Sequence, residues 1–245
     1  MNFGVLGYGR MGREVEKAAR QHGHQITAIF DEQNPLSRNS DLNGSDVLIS
    51  FCLKDVVLGN LEIAARKDIP VVEGTTGWYD QLGNIKQIPK LTLIYSPNFS
   101  IGMYQYSKLV EYAARLYAPF GDYDCYLHEW HHTGKADSPS GTARKLAAIL
   151  LAKLPQKKYV LESPPDGKID PAALHVTSTR VGSVAGTHEI GFNSPFDTIL
   201  LRHTAHGREG FAQGAVMAAE WIVGRKGIFT MEDFMNSITA DLLVI

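Results

Sequence analysis

Three of the nine histidines fall within one short stretch, His128-Glu129-Trp130-His131-His132-Thr133-Gly134-Lys135, with the lysine four residues past His131. Imidazole exchanges protons near neutral pH and an ammonium group holds anions, so this stretch suits acid/base work on a negatively charged molecule. Ala136-Asp137-Ser138-Pro139-Ser140-Gly141-Thr142 comes next, and then Ala143, Leu146, Ala147, Leu150, Leu151 and Leu154. Apolar residues spaced by three and four predict an amphipathic helix over 143–154. A Ser-Gly-Thr entrance gives that helix free backbone N–H groups and the positive end of its dipole, a seat for a carboxylate or phosphate. Upstream, residues 123–127 (Tyr-Asp-Cys-Tyr-Leu) read as a strand. The expected arrangement is therefore a strand delivering two histidines, a lysine on a loop, and a helix start aimed at an anion.

A second stretch carries different chemistry. Gly7-Tyr8-Gly9-Arg10-Met11-Gly12 follows a short apolar strand, opens a helix with Met11, Val15, Ala18 and Ala19 on one face, and is followed by a strand ending in Asp31. Strand, G-x-G-x-x-G, helix, strand and acidic residue about 20 positions past the glycines make a dinucleotide-binding pattern. In it the first glycine permits the turn, the second admits a pyrophosphate and the third lets the helix pack closely. Asp31 would accept hydrogen bonds from ribose hydroxyls. The next residue is Glu32, and two carboxylates would meet a 2′-phosphate, so NADH is favoured over NADPH; Arg38 in the following loop is a cation that could reach that phosphate.

The elements that must position these groups fall into two patterns. Strands are expected over 46–52, 69–72 and 91–95, with a helix between the first two marked by Val56, Val57, Leu61, Ala64 and Ala65. Alternating strands and helices predict a doubly wound parallel sheet that binds ligands outside its carboxyl ends. Gly74-Thr75-Thr76 and Ser96-Pro97-Asn98-Phe99 stand at such ends and are candidate cofactor contacts. After Asn98 a helix is expected through Met103, Tyr106, Val110, Ala113, Ala114 and Tyr117. Residues 155–171 read as loop, and strands over 173–180, 187–193 and 198–203 follow without helices between them. That run predicts a smaller α+β domain with a mostly antiparallel sheet. A helix over 211–223 returns to the first domain. The expected division is 1–98 with 208–245 for the dinucleotide, and 99–207 for substrate and self-association through the open sheet. Arg208 stands at the second crossing, a hinge position from which it would help close the domains.

Composition is that of a globular chain: 245 residues, formal net charge −2, hydrophobic residues 44% and charged residues 20%. The near-neutral balance advertises neither nucleic acid nor anionic membrane as a partner. No apolar run approaches the ~20 residues of a membrane span, and Met1 to Gly7 lacks a basic leader, so a cytoplasmic enzyme is expected. Cys52 and Cys125 sit in apolar strand-like runs and are expected as buried thiols. Cys125, His128, His131 and His132 could suggest a metal hydrolase. However, strand alternation sends His131 and His132 to opposite faces, and no carboxylate or cysteine recurs at a ligand spacing, so no metal is expected. Ser138 and Ser140 lack the G-x-S-x-G setting of a nucleophile. An amino-acid or imine dehydrogenase would share the cofactor half without explaining Lys135 to Thr142. A non-catalytic NAD-sensing protein would bind nucleotide without turnover.

The run from Glu129 to Ala143 resembles the E-x-H-H-x-x-K-x-D-[AS]-P-S-G-T-A signature of the dihydrodipicolinate reductase family. Gly7 to Gly12, Gly74-Thr75-Thr76-Gly77, Ser96 to Ser100, Arg180-Val181-Gly182 and Gly186-Thr187-His188 are similar to further family motifs in family order. The resemblance implies NADH- or NADPH-dependent reduction of a cyclic dicarboxylate on the route to diaminopimelate and lysine, by a homotetramer. It implies that His131 and Lys135 move protons, and that His132, Lys135, Ser140, Gly141 and Thr142 bind the substrate carboxylates. It places the cofactor on Gly7 to Met11, Asp31, Gly74 to Thr76 and Ser96 to Phe99. Three departures stand out: a short glycine loop, Asp31-Glu32 in place of an acidic–basic pair, and a shortened segment between Asp31 and Asp46.

Overall fold

The computed structural model describes residues 1–163 and 166–239. Pro164 and Pro165, within the stretch read as loop, lie outside the described residues, as does 240–245. The chain divides into two compact units, Met1–Ile101 with Arg208–Ile245, and Gly102–Gly207.

In the first unit, strands β1 (Asn2–Leu6), β2 (Gln25–Phe30), β3 (Val47–Ser50), β4 (Val71–Glu73), β5 (Leu93–Tyr95) and β11 (Ile228–Thr230) form one sheet in the order β11-β5-β4-β3-β1-β2. Every pairing is parallel. Side chains alternate across the sheet. Leu6, Leu48, Val71 and Leu93 therefore share one face, where they pack with Val57, Leu61, Ala64 and Ala65 of α2 (Val57–Arg66) and Ile85 of α3 (Leu82–Ile85). The other face, with Val5, Ile49, Val72 and Ile94, meets α1 (Arg10–Gln21) and α6 (Glu209–Ile222), which pack against each other. Burial on both faces explains why β3 is apolar apart from Ser50. Strand β11 and helix α7 (Met231–Thr239) have no counterpart in the sequence reading.

In the second unit, β6 (Asp124–His131), β7 (Tyr159–Leu161), β8 (Ala173–Arg180), β9 (Gly186–Asn193) and β10 (Thr198–Ala205) form a sheet in the order β10-β9-β6-β8-β7. It is mixed: the β10-β9-β6 half is antiparallel as expected, while β6-β8 and β8-β7 are parallel. The reason is the crossover through α5 (Gly141–Lys153), which returns the chain to the sheet in the same direction. Helices α4 (Ile101–Tyr117) and α5 cover one face, burying Val110, Ala114, Leu146 and Leu150 against Leu127, Val176 and Ile190. Tyr126, His128 and Trp130 lie half-buried on the other. Strand β7 corrects part of the 155–171 loop reading: three residues between turn-forming prolines and lysines are too few to show a period.

Candidate active site

The residues Leu6, Ser50, Glu73 and Tyr95 pair in one row across the first sheet. The chain leaves the sheet just past that row at Gly7, Phe51, Gly74 and Ser96. Since β1 is flanked by β2 on one side and β3 on the other, this row includes the point where strand order reverses, where an open α/β sheet binds its ligand. Gly7 has φ 85°, and a Cβ there would lie 2.4 Å from the Phe51 carbonyl oxygen. A Cβ on Gly12 would lie 2.2 Å from the Gly7 oxygen, while one on Gly9 would meet nothing within 4 Å. The turn is therefore closed by its first and third glycines and open at the second, with the α1 N-terminus behind it, which fits a pyrophosphate.

Other predicted contacts are placed more variously. Asp31 Oδ1 accepts the backbone N–H groups of Gln33 and Asn34 at 2.9 and 3.0 Å, so the carboxylate caps its own turn at the end of β2. Arg10 is exposed and Met11 half-buried, whereas the Tyr8 hydroxyl donates to Glu16. Thr75 is held from three sides: its N–H donates to Glu73 Oε1 at 2.8 Å, its hydroxyl accepts from the Cys52 N–H at 3.0 Å, and its carbonyl accepts from Trp78 Nε1 at 2.8 Å. Thr76 and Pro97 are exposed. Ser96 and Asn98 bond within their own turn. Phe99 is turned into the core, where a Cβ on Gly214 of α6 would lie 1.8 Å from its carbonyl oxygen, so its ring is a packing group. Glu73 was not anticipated. It is fully buried, Oε2 has no hydrogen-bond partner, and burial pushes its carboxyl up to about 7 against the hydrogen bonds from Thr75 and Ser50.

In the second unit β6 runs to His131, so the first catalytic candidate ends a strand. Alternation turns His131 inward with Glu129, while His132 leaves the strand half-buried. Pairing brings Glu129 beside Ser178 on β8 and His188 on β9, and His131 beside Arg180. The Glu129 carboxylate accepts the Ser140 N–H at 2.8 Å, the Ser178 hydroxyl at 2.8 Å, Arg180 Nη2 at 3.0 Å and the Ser140 hydroxyl. Its Oε2 also lies 3.4 Å from His188 Nε2 and 3.3 Å from His131 Nδ1, the latter outside hydrogen-bond geometry. Burial alone would raise this carboxyl, but the bonds from His188, Ser140 and Ser178 hold it well below the usual range. Burial pushes the His131 imidazole down to about 4; Glu129 pulls it up, and His188, Lys135 and Arg180 push it further down. A Cβ on Gly186 would come within 3.0 Å of His131 Nε2, so the bare backbone there makes room for the ring.

Ser140 is the N-cap of α5, its hydroxyl also accepting the Ala143 N–H at 3.1 Å. With that oxygen 2% accessible as a residue and bonded to Glu129, Ser140 faces the protein and fixes the helix entrance from behind. Lys135 Nζ lies 2.6 Å from Asp137 Oδ1. Hydrogen bonding to Lys135 is the main cause that lowers the Asp137 carboxyl. Gly141 is exposed and Thr142 half-buried. Arg208, by contrast, is an exposed N-cap of α6 in the first unit.

Sequence spacing had set a metal aside because no carboxylate stood at a ligand interval; folding nonetheless brings Glu129, His131 and His188 donor atoms within 4.8 Å of one another. Arg180 already neutralises the carboxylate, which makes this a hydrogen-bonded acid/base cluster. Glu129, Arg180 and His188 belong to this cluster although spacing assigns them no role. Their signal was their place in the recurring motifs; only strand register joins them.

A glycine turn at the reversal point of a parallel sheet, with a separate unit holding a buried imidazole and a lysine ahead of a helix entrance, defines the class of NAD(P)H-dependent oxidoreductases. Comparison with known proteins narrows this. Residues 1–99 match the N-terminal domain of dihydrodipicolinate reductase, and residues 102–235 match its C-terminal domain. The chain is 36% identical over 244 residues to the 4-hydroxy-tetrahydrodipicolinate reductase of Christiangramia forsetii, covering 97% of this chain and 99% of that one. It is 37% identical to the protein of that name from Archaeoglobus fulgidus, covering 93% and 96% of the two chains. Its fold is similar to that of the dipicolinate-bound dihydrodipicolinate reductase of Paenisporosarcina sp. TG-14, with a TM-score of 0.72, 22% identity, and 94% and 97% of the chains covered. The chain belongs to the dihydrodipicolinate reductase family, NAD(P)H-dependent oxidoreductases of lysine biosynthesis. No described helix is long and apolar enough to cross a membrane.

Proposed function

We propose that this chain reduces 4-hydroxy-tetrahydrodipicolinate to tetrahydrodipicolinate, with loss of water, and that it prefers NADH. The observation that carries the substrate class is Asp137: one of the chain's own carboxylates lies 2.6 Å from Lys135 Nζ, four residues ahead of the start of α5. A substrate carboxylate would take the same ammonium group, together with the Gly141 and Thr142 N–H groups at the helix entrance, the Thr142 hydroxyl and His132. The Paenisporosarcina structure, described as dipicolinate-bound, supports a ring carrying two carboxylates. When bound, the reduced nicotinamide supplies hydride to the ring.

The chain's own residues handle the proton. His131 is neutral when the site is free of substrate, because burial and three cationic or histidine neighbours outweigh Glu129. A dianionic substrate reverses that balance and favours imidazolium. His131 then donates its proton where hydride addition makes the ring basic, and Lys135 holds the adjoining carboxylate. Glu129 fixes the donors: it bonds the Ser140 backbone and hydroxyl at the start of α5 and Arg180 at the end of β8. Gly7 to Met11, Asp31, Gly74 to Thr76 and Ser96 to Asn98 hold the dinucleotide, with Phe99 supporting them from the core. Asp31 and Glu32 together favour ribose hydroxyls over a 2′-phosphate. Subunits join through the sheet face bearing Tyr126, His128 and Trp130 into a cytoplasmic homotetramer.

Oxidation of NADH and of NADPH, each followed with freshly generated substrate, tests the proposal. The expected result is turnover with both and a higher kcat/KM for NADH. No oxidation of either would refute the activity, and equal or reversed ratios would refute the cofactor preference.

A further inference from the structure

A second group of side chains stands at the opposite end of α1 from the dinucleotide turn. His22 is the C-cap of α1, His24 immediately precedes β2, and Glu220 stands near the end of α6. His22 Nδ1 is 2.9 Å and His24 Nε2 is 2.7 Å from the same oxygen, Glu220 Oε1. One ligand atom from each residue falls within 4.8 Å of the others. The dinucleotide turn is at the start of α1 and this cluster at its end, with 12 residues of helix between them.

A further shell orients the group. His22 Nε2 lies 2.7 Å from Gln213 Oε1, and the same glutamine donates through Nε2 to Gln21 Oε1 at 2.8 Å. An amide oxygen only accepts, so Nε2 of His22 carries the hydrogen. The 2.9 Å contact with Glu220 then needs a hydrogen on Nδ1 as well, and loss of that hydrogen leaves the Nδ1 lone pair facing the cluster. A metal-bound imidazole characteristically has its second nitrogen held in this way.

We propose that His22, His24 and Glu220 form a binding site for a divalent transition metal ion of the zinc class. Zinc bonds of about 2.0–2.1 Å arranged tetrahedrally put neighbouring ligand atoms roughly 3.3 Å apart. The present separations of 2.7 and 2.9 Å from Glu220 Oε1 need to open by about half an ångström. Two imidazoles and one carboxylate suit zinc, nickel or copper, whereas magnesium and calcium require oxygen ligands. The side chains of His22, His24 and Glu220 are 28%, 12% and 35% exposed, which leaves a fourth position for water. Metal uptake displaces protons here and weakens as pH falls. The bound ion ties the α1–β2 corner to α6, segments 196 to 198 residues apart in the chain.

The test is titration of the chelator-treated full chain with zinc chloride at mildly alkaline pH, read by calorimetry and by thermal unfolding. The parent is expected to bind one more equivalent than the His22→Gln/Glu220→Gln double variant, and to gain Tm that the variant does not. Gln213→Ala should weaken that equivalent about tenfold or more. His24→Gln provides a second single-site check, and circular dichroism with unaltered NADH-dependent turnover shows that the variants fold. Magnesium should give no shift. Equal zinc stoichiometry and affinity in the parent and the folded double variant would overturn the proposal, as would absence of zinc binding by the parent.

Discussion

Glu129 has no exposure and bonds Ser140, Ser178 and Arg180 at once, so replacing it by glutamine leaves the Arg180 cation without its counter-ion. Breaking one partner of a buried pair costs ~3–5 kcal/mol, and a small misplacement of reacting groups costs ~100-fold in rate. Glu129→Gln is therefore expected to lower denaturation midpoint and kcat together with little change in KM for NADH. An unchanged kcat in a folded variant would remove the positioning role. His131 gives a sharper prediction. Its imidazole sits at about 4 in the free site, below its ordinary 6.5, so it is neutral at pH near 6, and under the proposed function it is expected to take up a proton when the dicarboxylate binds. Calorimetry of dipicolinate binding, with NADH present, in two buffers of different ionisation enthalpy should show that uptake, and His131→Gln should abolish it. Buffer-independent heats in the parent would contradict it. Legibility at this scale followed contiguity. Lys135 through Thr142 can be read because they are neighbours in sequence, whereas Glu129 and Arg180, 51 residues apart, meet only through the β6–β8 register.

Among the elements, β4 shows what the hydrophobic pattern conceals. Val71 and Val72 read as strand, but Glu73, the next residue, is also buried, on the face that packs α2. Its carboxyl is raised from 4.5 to about 7 by burial, against the bonds from Thr75 and Ser50. The sign follows from linkage. A group whose folded value exceeds its unfolded one contributes stability that is full below 4.5 and lost as pH rises through about 7. Glutamine keeps an acceptor for the Thr75 N–H and cannot ionise. Glu73→Gln should match the parent near the low end of that window and exceed it above pH 8 by on the order of 3 kcal/mol. Denaturant unfolding of both proteins across the range checks this; parallel curves would show that Glu73 does not ionise in the fold. The strand boundaries were less legible than the strands themselves. Strands β7 and β11 have only three residues each, and β6 extends to His131 through polar and charged residues that alternate with buried ones. Parallel pairing through α5 gave the second sheet its mixed character, and neither crossover direction nor strand order is written in composition.

For the molecule as a whole, the two units hold separate hydrophobic cores, one around Leu48 and Trp78 and the other around Leu127 and Leu150. The doubly wound first unit was legible because alternating strands and helices around a G-x-G-x-x-G leave few topologies. The second unit was legible as α+β but not in its strand order, which depends on contacts between residues distant in sequence. In the proposed reaction the first unit holds the hydride donor and His131 in the second supplies the proton, and neither should turn over substrate without the other. Steady-state oxidation of NADH with freshly generated 4-hydroxy-tetrahydrodipicolinate, by the parent and by His131→Gln, tests that division most directly. The predicted result is turnover by the parent and a kcat lower by about 100-fold to 10,000-fold in the variant, with KM for NADH little changed. A parent that consumes no NADH, or a variant that matches it, would contradict the account.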